Sequence, residues 1–322
     1  MPANLPPQYY EKEEEYRQAK TYGEKIVILR QMLAIMPKHK GTDKLQADLR
    51  AKISKLNKLM QKKPSKRESQ FLYHIDKEGA GQVVLVGMPN VGKSQILSAL
   101  TNAHSPSTPY PFSTRKPIPG MMEFEDVKIQ LIDTPSIAKG FMEKWLPQLV
   151  READLVALVL DLAQENVIEQ IEEVMEIFTS ERILLTSKAS ESPQEKKCLM
   201  VGNKNDLPQT NDKFQILREL YGEKFTVLAI SALNRAWGTF KQTVFDVLNV
   251  IRVYSKEPGK PFKREEPFIM KKGSSVHDLA TSIHKDFTHL KFARLWDGGD
   301  YSGQRVERMH ILKDKDIVEL HL

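Results

Sequence analysis

The stretch QVVLVGMPNVGKSQILSAL, residues 82–100, decides the reading of the fold. QVVLV (82–86) reads as a buried strand and SQILSAL (94–100) as a helix. The loop between them, GMPNVGKS (87–94), has the spacing Gly-x4-Gly-Lys-Ser. A strand that runs through a glycine-rich turn into a helix suits phosphate. The glycines let backbone N–H groups curl around an anion, and the helix N-terminus favours negative charge. Lys93 reaches the β- and γ-phosphates of a nucleotide in such a loop, and Ser94 ligates Mg²⁺. Gly87, Pro89, Asn90, Val91, Gly92, Lys93, Ser94 and Gln95 are therefore candidate nucleotide-binding residues.

Working outward, VKIQLIDTP, DLVALVLDL, KKCLMVGNKND and FTVLAISAL read as further strands, and 142–152, 164–178, 212–220 and 237–253 as helices between them. Alternating strands and helices predict an α/β fold with a doubly wound, mainly parallel sheet. At the end of one strand lies NKND (203–206). Asp206 can accept two hydrogen bonds from the N1–H and 2-amine of guanine, and adenine offers no such pair. Asn203 would tie this loop to the phosphate loop, and the stem of Lys204 would cover the base. NKND lies about 110 residues past the phosphate loop and is followed by Ser231, Ala232 and Leu233 at the next strand end, a combination that selects guanine. In YPFST (110–114), Thr114 rather than Ser113 is the residue expected to close over Mg²⁺ and the γ-phosphate. Asp133, in LIDTPSIAKG (131–140), would hold Mg²⁺ through a water.

The two flanks differ from this centre. Residues 1–80 carry 17 Lys/Arg against 10 Asp/Glu, whereas 81–264 balance at 22 and 22 and 265–322 have 9 against 10. The basic excess peaks over 37–67, with 11 basic and 2 acidic residues, and such a segment attracts polyanions. Tyr22, Ile26, Leu29, Leu33 and Met36 form one helical stripe, and Leu45, Leu49, Ile53, Leu56 and Met60 another, with Thr42 as a cap. These predict a helical hairpin over 1–70, including a linker at 61–70. Its outer face, with Lys44, Arg50, Lys52, Lys55 and Lys58, is either a solvated surface or one that docks on RNA. The α/β domain is placed at 71–255, a Pro-rich linker at 256–264, and a small β-grasp-like α+β module at 265–322, with Ser275 and Asp278 spaced as a capping box.

No apolar run approaches the roughly 20 residues of a membrane span. The start, MPANLPPQYYEKEEE, lacks the apolar core of a signal peptide. Cys198 is the single cysteine; it excludes an intrachain disulfide and reads as a small core residue. The five histidines of the last segment form no compact ligand motif. These features suit a cytoplasmic protein.

The motifs together resemble the Obg superfamily of GTPases, in its developmentally regulated GTP-binding (DRG) branch. YPFST, PIPGMMEFEDVKIQLIDTP, IRVYSKEPG and the basic LQADLRAKISKLNKL carry the likeness, and the last segment resembles a TGS domain. The resemblance implies a slow GTPase with Lys93, Thr114 and Asn90 in the catalytic set, cycling on the ribosome or another structured RNA through residues 38–67 and the TGS domain. The family lacks a water-positioning Gln, consistent with Ile137. Many members use K⁺ instead, and Asn90 matches its ligand, although Asn also suits a turn. There are two departures. Asp161 to Asn203 is too short for the domain inserted there in the family. Ser136 replaces the usual Gly, at a cost on the order of 1 kcal/mol if the loop needs a positive φ. Ser136 leaves open the alternative of a guanine-nucleotide-dependent scaffold with negligible hydrolysis. Arg115 and Lys116 are left outside the catalytic set.

Overall fold

The computed structural model describes residues 6–18, 22–36, 42–61, 74–103, 116–187, 192, 194–234, 236–262, 266–284, 292–296 and 303–321. The chain divides into two compact units, 1–71 and 72–322.

Among the described residues the first unit has three helices, α1 (Pro7–Gln18), α2 (Tyr22–Ile35) and α3 (Asp43–Gln61). The expected hairpin is α2 and α3, and α1 is an addition. The α1 sequence, PQYYEKEEEYRQ, hid its one inward face behind charge; Tyr9 is buried with Leu29, Met32, Met36 and Leu49. Of the basic residues assigned to the outer face, Arg50 and Lys52 are exposed, while the side chains of Lys44, Lys55 and Lys58 lie outside the described residues. So do most of the linker residues, 62–70.

The second unit opens with a seven-stranded sheet. Its strands are β1 (Gln82–Val86), β2 (Ile118–Phe124), β3 (Val127–Asp133), β4 (Leu155–Asp161), β5 (Leu184–Thr186), β6 (Glu195–Asn203) and β7 (Thr226–Ala229), in the order β2-β3-β1-β4-β6-β5 with β7 also paired to β6. All pairs are parallel except β2–β3. The helices of this part, in chain order, include α4 (Lys93–Leu100), α5 (Leu146–Glu152), α6 (Val167–Ser180), α7 (Thr210–Tyr221) and α8 (Gly238–Leu248). The central strands are apolar on both faces because both faces are covered. Val83, Leu85, Leu131, Ala157 and Val201 meet Ile96 and Leu97 of α4 and Phe240 and Val244 of α8. Val84, Val86, Ile132, Leu158 and Met200 meet Leu149 of α5, Val174 and Phe178 of α6 and Leu217 of α7. Cys198 is buried in this second layer, and burial pushes its thiol up to about 12, so it is the inert core residue expected. The interval from Asp161 to Asn203 spans 43 residues, of which the described ones form α6, β5 and β6, too few to hold a further domain.

The reading of 237–253 as one helix overshoots. α8 stops at Leu248, Asn249 takes a left-handed φ of 59°, and the chain turns into β8 (Val250–Lys256). β8 then pairs with β9 (Phe268–Lys271) and β12 (Asp316–His321) in a second sheet, completed by β10 (Phe292–Trp296) and β11 (Gln304–Val306) in the order β11-β10-β12-β8-β9. Residues 256–264 therefore connect two antiparallel neighbours of one sheet; they do not separate two domains. The helix α9 (Val276–Ile283) covers one face through Val276, Leu279 and Ala280 against Val253, Ala293 and Val318. Its N-terminus is the expected capping box, with Ser275 and Asp278 bonded reciprocally. No helix among the described residues is long and apolar enough to cross a membrane.

Candidate functional site

Strands β1, β3, β4 and β6 run parallel, so their carboxyl ends share one edge of the sheet, where ligands of open α/β folds collect. The loop 87–94 leaves β1 there. Val91 anchors it in the core. Gly87 has φ 153° and a Cβ on it would lie 2.3 Å from the Val159 carbonyl oxygen; Gly92 has φ 98° and a Cβ 2.2 Å from Asn203 Nδ2. Both positions exclude any other residue. Asn90 takes φ 63°, which Asn tolerates, and it stands exposed at the tip. Its turn-forming role is thus met by the backbone, and its amide oxygen is open to a second use.

Lys93 starts α4 and is buried at 5% exposure. Its ammonium donates to the carbonyl oxygens of Gly87 (2.9 Å) and Met88 (3.0 Å) and to Ser136 Oγ (3.2 Å). Burial lowers its pKa to about 8, partly opposed by the Asp133 carboxylate. Ser94 Oγ donates to Asp133 Oδ2 at 2.6 Å. This hydroxyl and carboxylate are hard oxygen donors at a helix N-terminus, a pair that suits Mg²⁺. Thr114 lies outside the described residues.

The base loop is built on a buried asparagine. Asn203 Nδ2 donates to the Val91 carbonyl (2.9 Å), and its Oδ1 accepts from Ala232 N (3.1 Å). The bond to Val91 links the base loop to the phosphate loop, and the bond from Ala232 adds the loop after β7. Ser231 Oγ accepts from the backbone of Leu233 and Asn234 and shapes that turn. Lys204 has φ 67° and its ammonium donates to Asp161 Oδ2 at 2.6 Å. Asp161, which the sequence reading passed over, is buried and also accepts from Ala163 N. Its signal was a carboxylate closing an otherwise apolar strand, LVALVLD. Asp206 is exposed in the turn that follows, and Gln95 is half-buried beside Gly92.

The turn after β3 answers the question of the missing Gly and Gln. Ile137 is fully buried with Ile132 and Leu146, and its N–H donates to the Gly87 carbonyl (3.1 Å). Its side chain points into the core, so it cannot position a water. Ser136 is half-buried and is not among the described residues with positive φ, so the strain expected for its Cβ does not arise. Among the described residues no cluster of three or more His, Cys, Asp or Glu could hold a metal.

Comparison with known proteins matches this geometry. Residues 82–204 match the family described as 50S ribosome-binding GTPase, and residues 251–322, β8 included, match the TGS domain. Developmentally regulated GTP-binding protein 2 of Homo sapiens is 24% identical, over 92% of this chain and 98% of its own length. The chain is thus similar, along nearly its whole length, to developmentally regulated GTP-binding proteins. It is a GTP-binding protein with a P-loop GTPase domain and a C-terminal TGS domain. An uncharacterised GTP-binding protein of Methanocaldococcus jannaschii is 26% identical over 92% of both chains. A GTP-binding protein from Pyrococcus horikoshii OT3 shares the fold, with a TM-score of 0.50 and 17% identity over 74% of this chain and 99% of its own. The alignment with the human relative runs 360 positions against a chain of 322, as it must if that relative carries residues missing here.

Proposed function

We propose that this chain hydrolyses GTP slowly and works as a molecular switch on the ribosome or another structured RNA in the cytoplasm. The observation that carries the reading is the meeting of Lys93, Ser94 and Asp133 around one loop, tied by Asn203 to a base loop that ends in Asp206. In this reading Ser94 and Thr114 hold Mg²⁺ directly and Asp133 holds it through a water. The cation, when bound, neutralises charge on the phosphoryl oxygens. Lys93, protonated, pairs with the β- and γ-phosphates. Backbone N–H groups of 87–94 cradle the phosphates, and Asn203, Lys204, Asp206 and 231–233 hold guanine. Asn90 holds K⁺, which supplies the charge of an arginine finger. The exposed Arg50 and Lys52, in a segment rich in Lys and Arg, support RNA contact by 38–67, with the TGS domain as the second contact.

The burial of Ile137 favours a low intrinsic rate and keeps a second reading in view, a nucleotide-dependent scaffold with negligible hydrolysis. Single-turnover GTP hydrolysis in K⁺ and in Na⁺, with and without ribosomes, separates the two. A switch should turn over faster in K⁺, and Asn90→Ala should remove that dependence while leaving Mg²⁺-GDP affinity within about threefold. No turnover in either salt, ribosomes present, would decide for the scaffold. The base assignment has its own test. Asp206→Asn should weaken GTP about thirtyfold, because a carboxylate that accepts two N–H donors becomes an amide facing an amine. The same variant should favour xanthosine triphosphate, whose 2-oxo group accepts from an amide. Equal GTP affinity in wild type and variant would remove Asp206 from the base site.

A further inference from the structure

Lys93 has three ammonium protons and three acceptors, the carbonyls of Gly87 and Met88 and the hydroxyl of Ser136. A terminal phosphate brought to this lysine must take over one of those places. The three acceptors respond to it differently. A carbonyl oxygen can only accept, so it repels a phosphate oxygen, and Gly87 O is already engaged by the Ile137 N–H at 3.1 Å. The Ser136 hydroxyl can turn about its C–O bond and donate. It is half-buried, so it can be reached, and it lies three residues past the end of β3 at Asp133.

We propose that the Ser136 hydroxyl is a specificity-determining contact to the terminal phosphate of a nucleoside triphosphate, and that this contact separates tri- from diphosphate. Without that phosphate the hydroxyl accepts from Lys93; with it, the hydroxyl donates to a phosphate oxygen while Lys93 turns to the same group. The inference rests on the nucleotide-site reading above and adds one side chain to it. A glycine at 136 would offer only its backbone N–H, and the neighbouring Ile137 is committed to the core. The Ser136 backbone is free of left-handed strain, so the hydroxyl comes without a conformational penalty.

The test measures the dissociation constants of GDP and of guanosine 5′-(β,γ-imido)triphosphate, with Mg²⁺, on the full chain. Wild type is compared with Ser136→Ala, Ser136→Gly and Ser136→Thr. A hydrogen bond to an ionised phosphate supports about a tenfold loss on deletion. Both Ala and Gly should therefore lose about tenfold in triphosphate-over-diphosphate preference, GDP affinity should stay within about threefold, and Thr should keep the wild-type preference. Retained GDP binding also reports that each variant is folded. An unchanged preference in Ser136→Ala overturns the proposal. So does a Gly variant that binds the triphosphate as well as wild type while Ala does not, since the Cβ and not the hydroxyl would then be deciding. If wild type binds neither nucleotide, the site reading itself fails, and the inference with it.

Discussion

Replacing Arg252 by alanine should destabilise the second unit by about 2–4 kcal/mol, measured as the shift in urea unfolding of the full chain. Arg252 sits in β8 with its side chain 3% exposed. Nη1 donates to Glu125 (2.5 Å) and Asp126 (3.0 Å), and Nη2 and Nε donate to Asp314 (2.6 and 3.1 Å). The guanidinium lies 4.9 Å from the ring of Phe245 and 5.8 Å from that of Phe124. Glu125 and Asp126 form the turn between β2 and β3, whereas Asp314 precedes β12. One cation thus joins the edge hairpin of the first sheet to the second sheet. Breaking a buried pair costs about 3–5 kcal/mol, because the surviving charge is left without its partner. Here the carboxylates are partly exposed, at 42%, 19% and 34%, so water recovers some of that and the expectation is lowered.

Arg252→Lys should fall between wild type and alanine, since an ammonium cannot match the planar fork. The acid limb supplies the sign. Glu125 is held below its ordinary 4.5 by hydrogen bonds from Lys315 and Arg252. Asp314 is held below its ordinary 3.8 because the bonds from Arg252 outweigh its burial. Folded values below unfolded ones give stability that is present above about pH 4.5 and is lost as pH falls through the folded values. Arg252→Ala should therefore cost less in acid than at neutrality. A loss under about 1 kcal/mol at pH 7 would show that the two sheets are joined by their apolar contacts alone.

That cluster was invisible in the sequence, and the reason is general to the molecule. Strands β1, β3, β4 and β6 were legible because they are buried on both faces and read as apolar runs. The phosphate and base loops were legible because their chemistry fixes residue types at short spacing. The Ser275–Asp278 box was legible for the same reason. β2 was missed because it is an edge strand that tolerates Pro119 and Gly120. β5 has only three residues. β8 was read as helix because VFDVLNVIRVY continues an apolar period, and nothing local announces that Asn249 turns left-handed. The contacts of Arg252 with Glu125 and of Ser136 with Lys93 span 127 and 43 residues. No periodicity carries such pairs; tertiary structure alone brings them together.

Nucleotide affinity should fall as pH rises through about 8, while the stability of the nucleotide-free protein should rise over the same range. Both effects come from Lys93. Burial brings its pKa from 10.5 to about 8, and Asp133 opposes the shift only in part. Phosphates bound at this amine add negative charge and favour its protonated form, so its pKa rises on binding. Above about pH 8 the nucleotide must then bind together with a proton, and the dissociation constant should grow by up to about tenfold per pH unit. Calorimetry of GDP binding in two buffers of different ionisation heat should read an uptake approaching one proton near pH 9 and none at pH 7. The stability effect has the opposite sign. A lysine whose folded pKa lies below its unfolded value binds fewer protons when folded, so unfolding takes up protons between about pH 8 and 10.5. The cost of the buried ammonium, on the order of 3 kcal/mol, is present in full below about pH 8 and is relieved as pH rises above it. Lys93→Met removes the titrating group. The stability difference between wild type and this variant should therefore shift in favour of wild type on going from about pH 7 to pH 9. General alkaline unfolding would lower affinity and stability together, and in both proteins alike. That pattern would mean that another group titrates and that Lys93 stays charged in its pocket.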